Sequence, residues 1–234
     1  MRRVASRTAS PHPSPNPPIP NPYPSPNPSP KPCPSPNPNP KPSPDQDGCC
    51  ASAALVSDDG TCHVLNCGDS RTALAAARAD GTGARVALAT RDHAAADELE
   101  RRRLAAEGRS FGCVGGTWRV EVDSPAGLWQ VAVARALGGT EWRAAGISDA
   151  ADVQTLTLGP EHRLLVVASD GVWGVDDEAG PSYAERSEGS VYLAAAARAS
   201  GRSAGEAAHE LVARARKYGS TDNAGCVVLY LGTL

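Results

Sequence analysis

Hydrophobic positions along the chain fall into short runs separated by polar breaks. The most continuous run, Leu164–Ala168, is too short for a helix and rich in β-branched valine, which predicts a strand buried on both faces. It stops at Ser169-Asp170-Gly171, where a carboxylate leaves the strand end and a glycine permits a sharp turn. A second apolar run, Ala224–Leu231, predicts another buried strand, just after Gly219-Ser-Thr-Asp222-Asn223. Residues 152–158 alternate cleanly and predict a half-buried strand. Earlier, Ala51–Val56 and Thr61–Asn66 flank Asp58-Asp59-Gly60 as a hairpin, and Ala73–Arg78 and Ala84–Leu88 flank a second turn. Trp118–Val122 and Leu128–Val133 are weaker strand candidates.

Helical spacing appears in three places. Ala94–Glu107 is charged, alanine-rich and closed by Gly108, with Arg101-Arg102-Arg103 read as a solvated face. Val191–Ala199 and Ala204–Lys217 follow. In the latter, Ala204, Ala207, Ala208, Leu211 and Ala215 line one face, and Glu210 and Arg214 are placed to pair. Strands grouped apart from helices predict an α+β layered sandwich rather than a doubly wound sheet. Asp170 follows one buried strand and Asp222 precedes the other. If those strands are antiparallel neighbours, the two carboxylates converge, and converging hard oxygen ligands suit Mg²⁺ or Mn²⁺.

Composition changes this picture at the N-terminus. Of 21 prolines in 234 residues, 18 lie between Pro11 and Pro44, alternating with Ser, Asn and Lys. Proline fixes φ and lacks an N–H, so this tract is expected to be disordered and to sample extended polyproline II. It reads as a semi-rigid tether, with a docking tract for a groove-type module or a glycosylated wall-type segment as alternatives. Three segments follow: basic residues 1–10, the tract 11–44, and a foldable domain 45–234 long enough for one core. A net charge of −3 with dispersed signs argues against a nucleic-acid or membrane surface, and no apolar stretch is long enough to span a bilayer. The seven cysteines include no Cys-x-x-Cys pair, and Cys62 and Cys67 are spaced to face opposite sides of a strand. They read as buried free thiols in a reducing compartment. The expected setting is intracellular, cytoplasmic or nuclear; the acid-free start, MRRVASRTAS, lacks a secretory core and leaves organellar targeting open.

Six pieces then carry a resemblance: Gly68-Asp69-Ser70-Arg71, Asp92-His93, Glu100-x-x-Arg103-Leu104, Arg135-Ala-Leu-Gly138, Ala168-Ser-Asp-Gly-Val-Trp173 and Ser220-x-Asp-Asn223. Their order and spacing from about Gly48 onward resemble the metal-dependent (type-2C, PPM) protein serine/threonine phosphatases. The resemblance implies a four-layer α/β/β/α sandwich of two antiparallel sheets flanked by helices, with a binuclear Mg²⁺/Mn²⁺ site at one end. It implies Asp170 and Asp222 as metal ligands, Asp69 at a position linked in some members to a third, weaker metal, and Gly171, Asn223, Gly68 and Arg71 as supporting residues. The implied chemistry is attack of metal-activated water on phosphoserine or phosphothreonine, with phosphorylated proteins as substrates or partners. A monomer is expected.

The departures are equally specific. The family's N-terminal Asp-Gly-His-Gly-Gly signature, an upstream acidic ligand and a phosphate-binding arginine are not found in this chain, and the proline tract stands in their place. Gly139 and Gly174 stand where two further acidic residues are expected. Two carboxylates without their bridging partner should hold Mg²⁺ weakly. The expected sandwich is therefore missing its N-terminal part, and three readings remain: a phosphatase that is N-terminally truncated or impaired, a pseudophosphatase that binds phosphoproteins or a partner, and a proline-rich structural protein.

Overall fold

The computed structural model describes residues 47–124, 127–173 and 183–232, all within the unit Pro42–Leu234. The basic start, the proline tract with Cys33, and Gly174 lie outside the described residues. In chain order the first elements are β1 (Gly48–Cys49), β2 (Ala51–Val56), β3 (Thr61–Cys67), β4 (Arg71–Ala77), β5 (Ala84–Ala89) and α1 (Glu98–Ala106). Next come β6 (Phe111–Val114), β7 (Thr117–Ser124), β8 (Gly127–Val131), β9 (Leu137–Gly138), α2 (Thr140–Ala144) and β10 (Asp152–Thr157). The last are β11 (His162–Ala168), α3 (Asp170–Trp173), α4 (Tyr183–Ala199), α5 (Ala204–Lys217) and β12 (Cys226–Tyr230).

The expected α+β arrangement of antiparallel sheets and helices is what the chain forms. Among the described residues one sheet runs β10-β3-β2, a second β12-β11-β4-β5 and a third β6-β7-β8, with β1 and β9 as a separate pair, every neighbouring pair antiparallel. Period-two alternation turns Cys62 and Val64 of β3 toward Leu74 of β4 and Leu165 of β11, and Leu158 and Leu231 close this core. Cys67, also buried, lies outside that cluster. The other face of the four-stranded sheet is packed by α4 and α5. Alanines at 73, 75, 194 and 207 leave room for Leu164, Val166, Leu211 and Trp173. Each fully buried leucine contributes about 1.5–3 kcal/mol. A third cluster joins Leu104 of α1 to Val120 and Val122 of β7, Ala134, Ala136 and Ile147.

Several local readings change. Helix α1 starts four residues later than its alanine content suggests. Ala94 bridges Val133 instead, and Asp97 caps the helix by accepting from the Leu99 and Glu100 amides. Of the arginine run only Arg102 is solvated; Arg101 stacks on Trp118 at 4.6 Å, and Arg103 donates to the Gly146 and Ala134 carbonyls. Helix α5 keeps its expected span and buries Ala207, Leu211 and Ala215. However, Glu210 pairs with Arg202, and Arg214 donates to Gly189 O. Strand β12 is an edge strand, so Val227 (64% exposed) and Leu229 (45%) are not buried as their apolar run implies. Strand β10 exposes Val153. Among the described cysteines all are free, but Cys49 and Cys113 are exposed and only Cys62 and Cys67 are fully buried. No described helix is long and apolar enough to cross a membrane.

Candidate functional site

Pairing of β11 with β12 runs from Leu164 opposite Tyr230 to Ala168 opposite Cys226. The strands are antiparallel, so the segment leaving β11 lies beside the segment entering β12. Three contacts lock this junction. Ser169 N–H donates to Gly225 O (3.0 Å), the Gly225 amide donates to Ser169 Oγ (2.9 Å), and Ser220 Oγ–H donates to Gly171 O (2.7 Å). Gly171 approaches so closely that a Cβ there would stand 2.3 Å from the Asn223 carbonyl oxygen. No other residue type fits without moving backbone.

This packing brings Asp170 and Asp222 together, and Asp69 joins them from the turn after β3. Burial pushes the Asp170 carboxyl above the usual carboxylate range, and the negative charges of Asp69 and Asp222 push it further; the Gly171 amide, 2.9 Å from Oδ1, opposes them. Asp170 and Asp69 are half-buried and Asp222 is exposed. Among the described residues, however, no group of three or more His, Cys, Asp and Glu side chains is close enough to hold a metal ion. The unneutralised charge and hard oxygen donors fit one hydrated divalent cation on two carboxylates, a common arrangement for Mg²⁺. They do not fit a two-metal clamp.

Beside the carboxylates lies a cavity of about 400 Å³, lined by Gly48, Cys49, Cys50, Asp69, Trp142 and Asp170 among others. Burial, reinforced by the charge and hydrogen bond of Asp69, pushes the Cys50 thiol up to about 12. The thiol is therefore not a nucleophile at neutral pH. Strands β1 and β9 pair at this end, with Gly48 opposite Gly138. Gly139, which stands where an acidic residue is expected, has φ 57° and ψ 99°, and a Cβ there would meet Trp142 Cγ at 2.9 Å. The backbone at this position is committed to glycine.

The supporting residues divide in two. Gly68, at φ 112°, bears on Cys50: an added Cβ would lie 2.3 Å from its Sγ. Arg71 is 3% exposed. It holds Asp92 bidentately (3.1 and 2.7 Å), donates to Ser187 Oγ (2.8 Å) and stacks over Trp173 at 5.1 Å. Burial pushes the Asp92 carboxyl up while Arg71 pulls it down. Asn223 lends its carbonyl to the Gly171 contact and donates its amide to Asp222 Oδ1 (2.7 Å).

Sequence reasoning missed Cys50, Asn66, Glu100, Arg135 and Asp152 as residues around the site. Glu100 and Arg135 lay within quoted motifs, but nothing in their spacing shows that they touch across 35 positions. His93 also lay in such a motif; its place behind Gly68 is visible only in three dimensions.

This arrangement of antiparallel sheets and helices is shared with solved structures. A serine-threonine phosphatase 2C from Toxoplasma gondii superposes with a TM-score of 0.60 at 23% identity, covering 77% of this chain and 57% of that one. A C. elegans sex-determining protein gives a TM-score of 0.54 at 19% identity over 76% of this chain and 39% of that one. The family model described as Protein phosphatase 2C matches residues 34–224, and the chain belongs to this family. Its relatives include probable protein phosphatase 2C 32 of Oryza sativa subsp. japonica, 32% identical over 193 residues (80% of this chain, 42% of the relative). Probable protein phosphatase 2C 76 of Arabidopsis thaliana is 33% identical over 183 residues, 78% of this chain and 37% of the relative. The chain spans less than half the length of these curated relatives.

Proposed function

We propose that this chain is a type-2C phosphatase domain directed at phosphoserine and phosphothreonine in proteins, with an impaired catalytic centre. The observation that supports this reading is that Asp170 feels the charges of both Asp222 and Asp69 at one end of the sheets, while among the described residues no three such side chains come close enough to share an ion. Asp170 and Asp222 would hold one Mg²⁺ or Mn²⁺, and the charge of Asp69 would add to its attraction. When bound, the ion supplies Lewis-acid charge that a phosphoryl group needs. The chain's own part is to orient. Ser169 and Ser220 fix the two strand-end loops, Gly171 lets them touch, and Trp173, anchored by its Nε1–H to Ala168 O (2.9 Å), ties α3, which begins at Asp170, to the end of β11.

A second reading, a pseudophosphatase that binds phosphoproteins or a partner, draws on Gly139, whose backbone and Trp142 contact exclude the acidic side chain expected there. The proline tract serves in either case as a tether or docking segment. Hydrolysis of a phosphothreonine peptide by the full chain, with and without Mn²⁺ and with Asp170→Asn as control, separates them. The impaired enzyme gives Mn²⁺-dependent turnover below about 1 s⁻¹, the low end for enzymes, and loses it in the variant. Turnover well above that level overturns the impairment. Peptide binding without any turnover in a folded sample supports the second reading.

A further inference from the structure

We infer that His93 is a positioning residue for Asp69, holding the Gly68–Asp69 turn from behind and coupling it to helix α1 through Asp152, Arg135 and Glu100. The inference rests on the reading of Asp69 as part of a cation-attracting centre. His93 is fully buried and its backbone and ring both engage Gly68. Its N–H donates to Gly68 O (2.8 Å), and its Nδ1 accepts from the Gly68 amide (3.2 Å). Asn66 Nδ2 gives Gly68 O a second donor at 3.0 Å. The turn is thus pinned on both peptide groups of Gly68, the second of which it shares with Asp69, and Cys50 blocks movement on the other side.

The ring itself is oriented from its far edge. With Nδ1 accepting, Nε2 carries the proton and donates to Asp152 Oδ2 at 3.1 Å. Asp152 Oδ1 accepts from Arg135 Nη1 (2.8 Å), and Arg135 donates twice to Glu100 Oε1 (2.9 and 2.6 Å). Glu100 is 1% exposed and sits on α1. The chain therefore links a helix to the backbone beside Asp69 through one imidazole, the kind of outer contact that sets how well a carboxylate presents itself to a cation.

The test uses the full chain, isotope-labelled, with His93→Leu and His93→Asn; asparagine keeps an acceptor near the Nδ1 position. Without metal, ¹⁵N spectra are expected to show His93 protonated on Nε2 alone. A ring protonated on Nδ1 overturns the inference. In Mn²⁺ titrations read by the electron spin signal of the free ion, His93→Leu should bind about tenfold more weakly, and His93→Asn should recover most of the loss. Equal loss in both folded variants makes His93 merely structural and overturns it. If the wild-type chain takes up no Mn²⁺, the reading of the site fails, and the Gly68–Ser70 amide resonances decide about His93. Displacement in His93→Leu with restoration in His93→Asn supports it; unmoved resonances overturn it. Should His93→Leu not fold, Asp152→Ala, at the half-exposed link between His93 and Arg135, takes its place with the same expected weakening, and unchanged binding and resonances overturn the inference.

Discussion

Asp170 is placed at a cost that its sequence context does not reveal. Its carboxyl titrates above the ordinary range because burial and the charges of Asp69 and Asp222 all disfavour the ionised form. A raised folded-state value means that the ionised group opposes folding at neutral pH, and that the opposition fades as pH falls through that value. Asp170→Asn is therefore expected to raise the thermal midpoint of the metal-free chain at pH 7 by a few degrees, on the order of 1 kcal/mol. The same variant should be more weakly stabilised by added Mn²⁺ than the wild type. Differential scanning calorimetry with and without the ion checks both halves, and a fall in the metal-free midpoint would contradict the repulsion.

At the scale of elements, α1 is docked by charge as much as by Leu104. Burial pushes the Glu100 carboxyl up, but hydrogen bonds and charge from Arg135 and Arg103 outweigh it and hold the group below its ordinary value. Asp152 is depressed in the same way against its own burial, by His93 and Arg135. Depressed carboxylates contribute stability above their unfolded values of about 3.9–4.3 and lose it as pH falls through the folded values. Asp92 and Asp170 have the opposite sign, weakening the fold as pH rises above those values. Thermal stability should thus rise slightly on acidification from neutral pH, then collapse below about pH 4. Glu100→Gln is expected to blunt the acid collapse and Asp170→Asn to flatten the gentle limb, as read from melting midpoints across pH.

For the whole molecule, the decisive fact is which strand positions lie between the sheets. Leu165 and Leu229 are register partners on β11 and β12 and share a face, yet Leu165 is 1% exposed and Leu229 45%. Strand β2 ends its sheet over β11 and β4, which leaves Val227 and Leu229 of the edge strand β12 exposed. Leu165→Ala, which opens a cavity between two sheets, should cost about 2–5 kcal/mol. Val227→Thr should stay within about 0.5 kcal/mol. Urea unfolding of the two variants measures the difference, and equal costs would mean that β12 is covered on that face.

Legibility from sequence follows the range of the interactions involved. Leu164–Ala168, the Asp58-Asp59-Gly60 hairpin and the amphipathic span of α5 were readable because apolar period and turn residues act over a few positions. Asp170 and Asp222 were readable as a pair because each adjoins such a run, and antiparallel pairing then brings the strand ends together. The start of α1 was not readable, since the Ala94–Val133 bridge outcompetes alanine's helix propensity. Nor were the solvated partner of Glu210, the exposure of β12, or the His93–Asp152–Arg135–Glu100 chain behind Asp69. The amino-acid sequence by itself determined the elements, the family and the two strand-end carboxylates, which depend on local pattern. Only the tertiary structure decided what stands between those carboxylates and what holds them, because buried polar groups choose partners by proximity in space, wherever in the chain these lie.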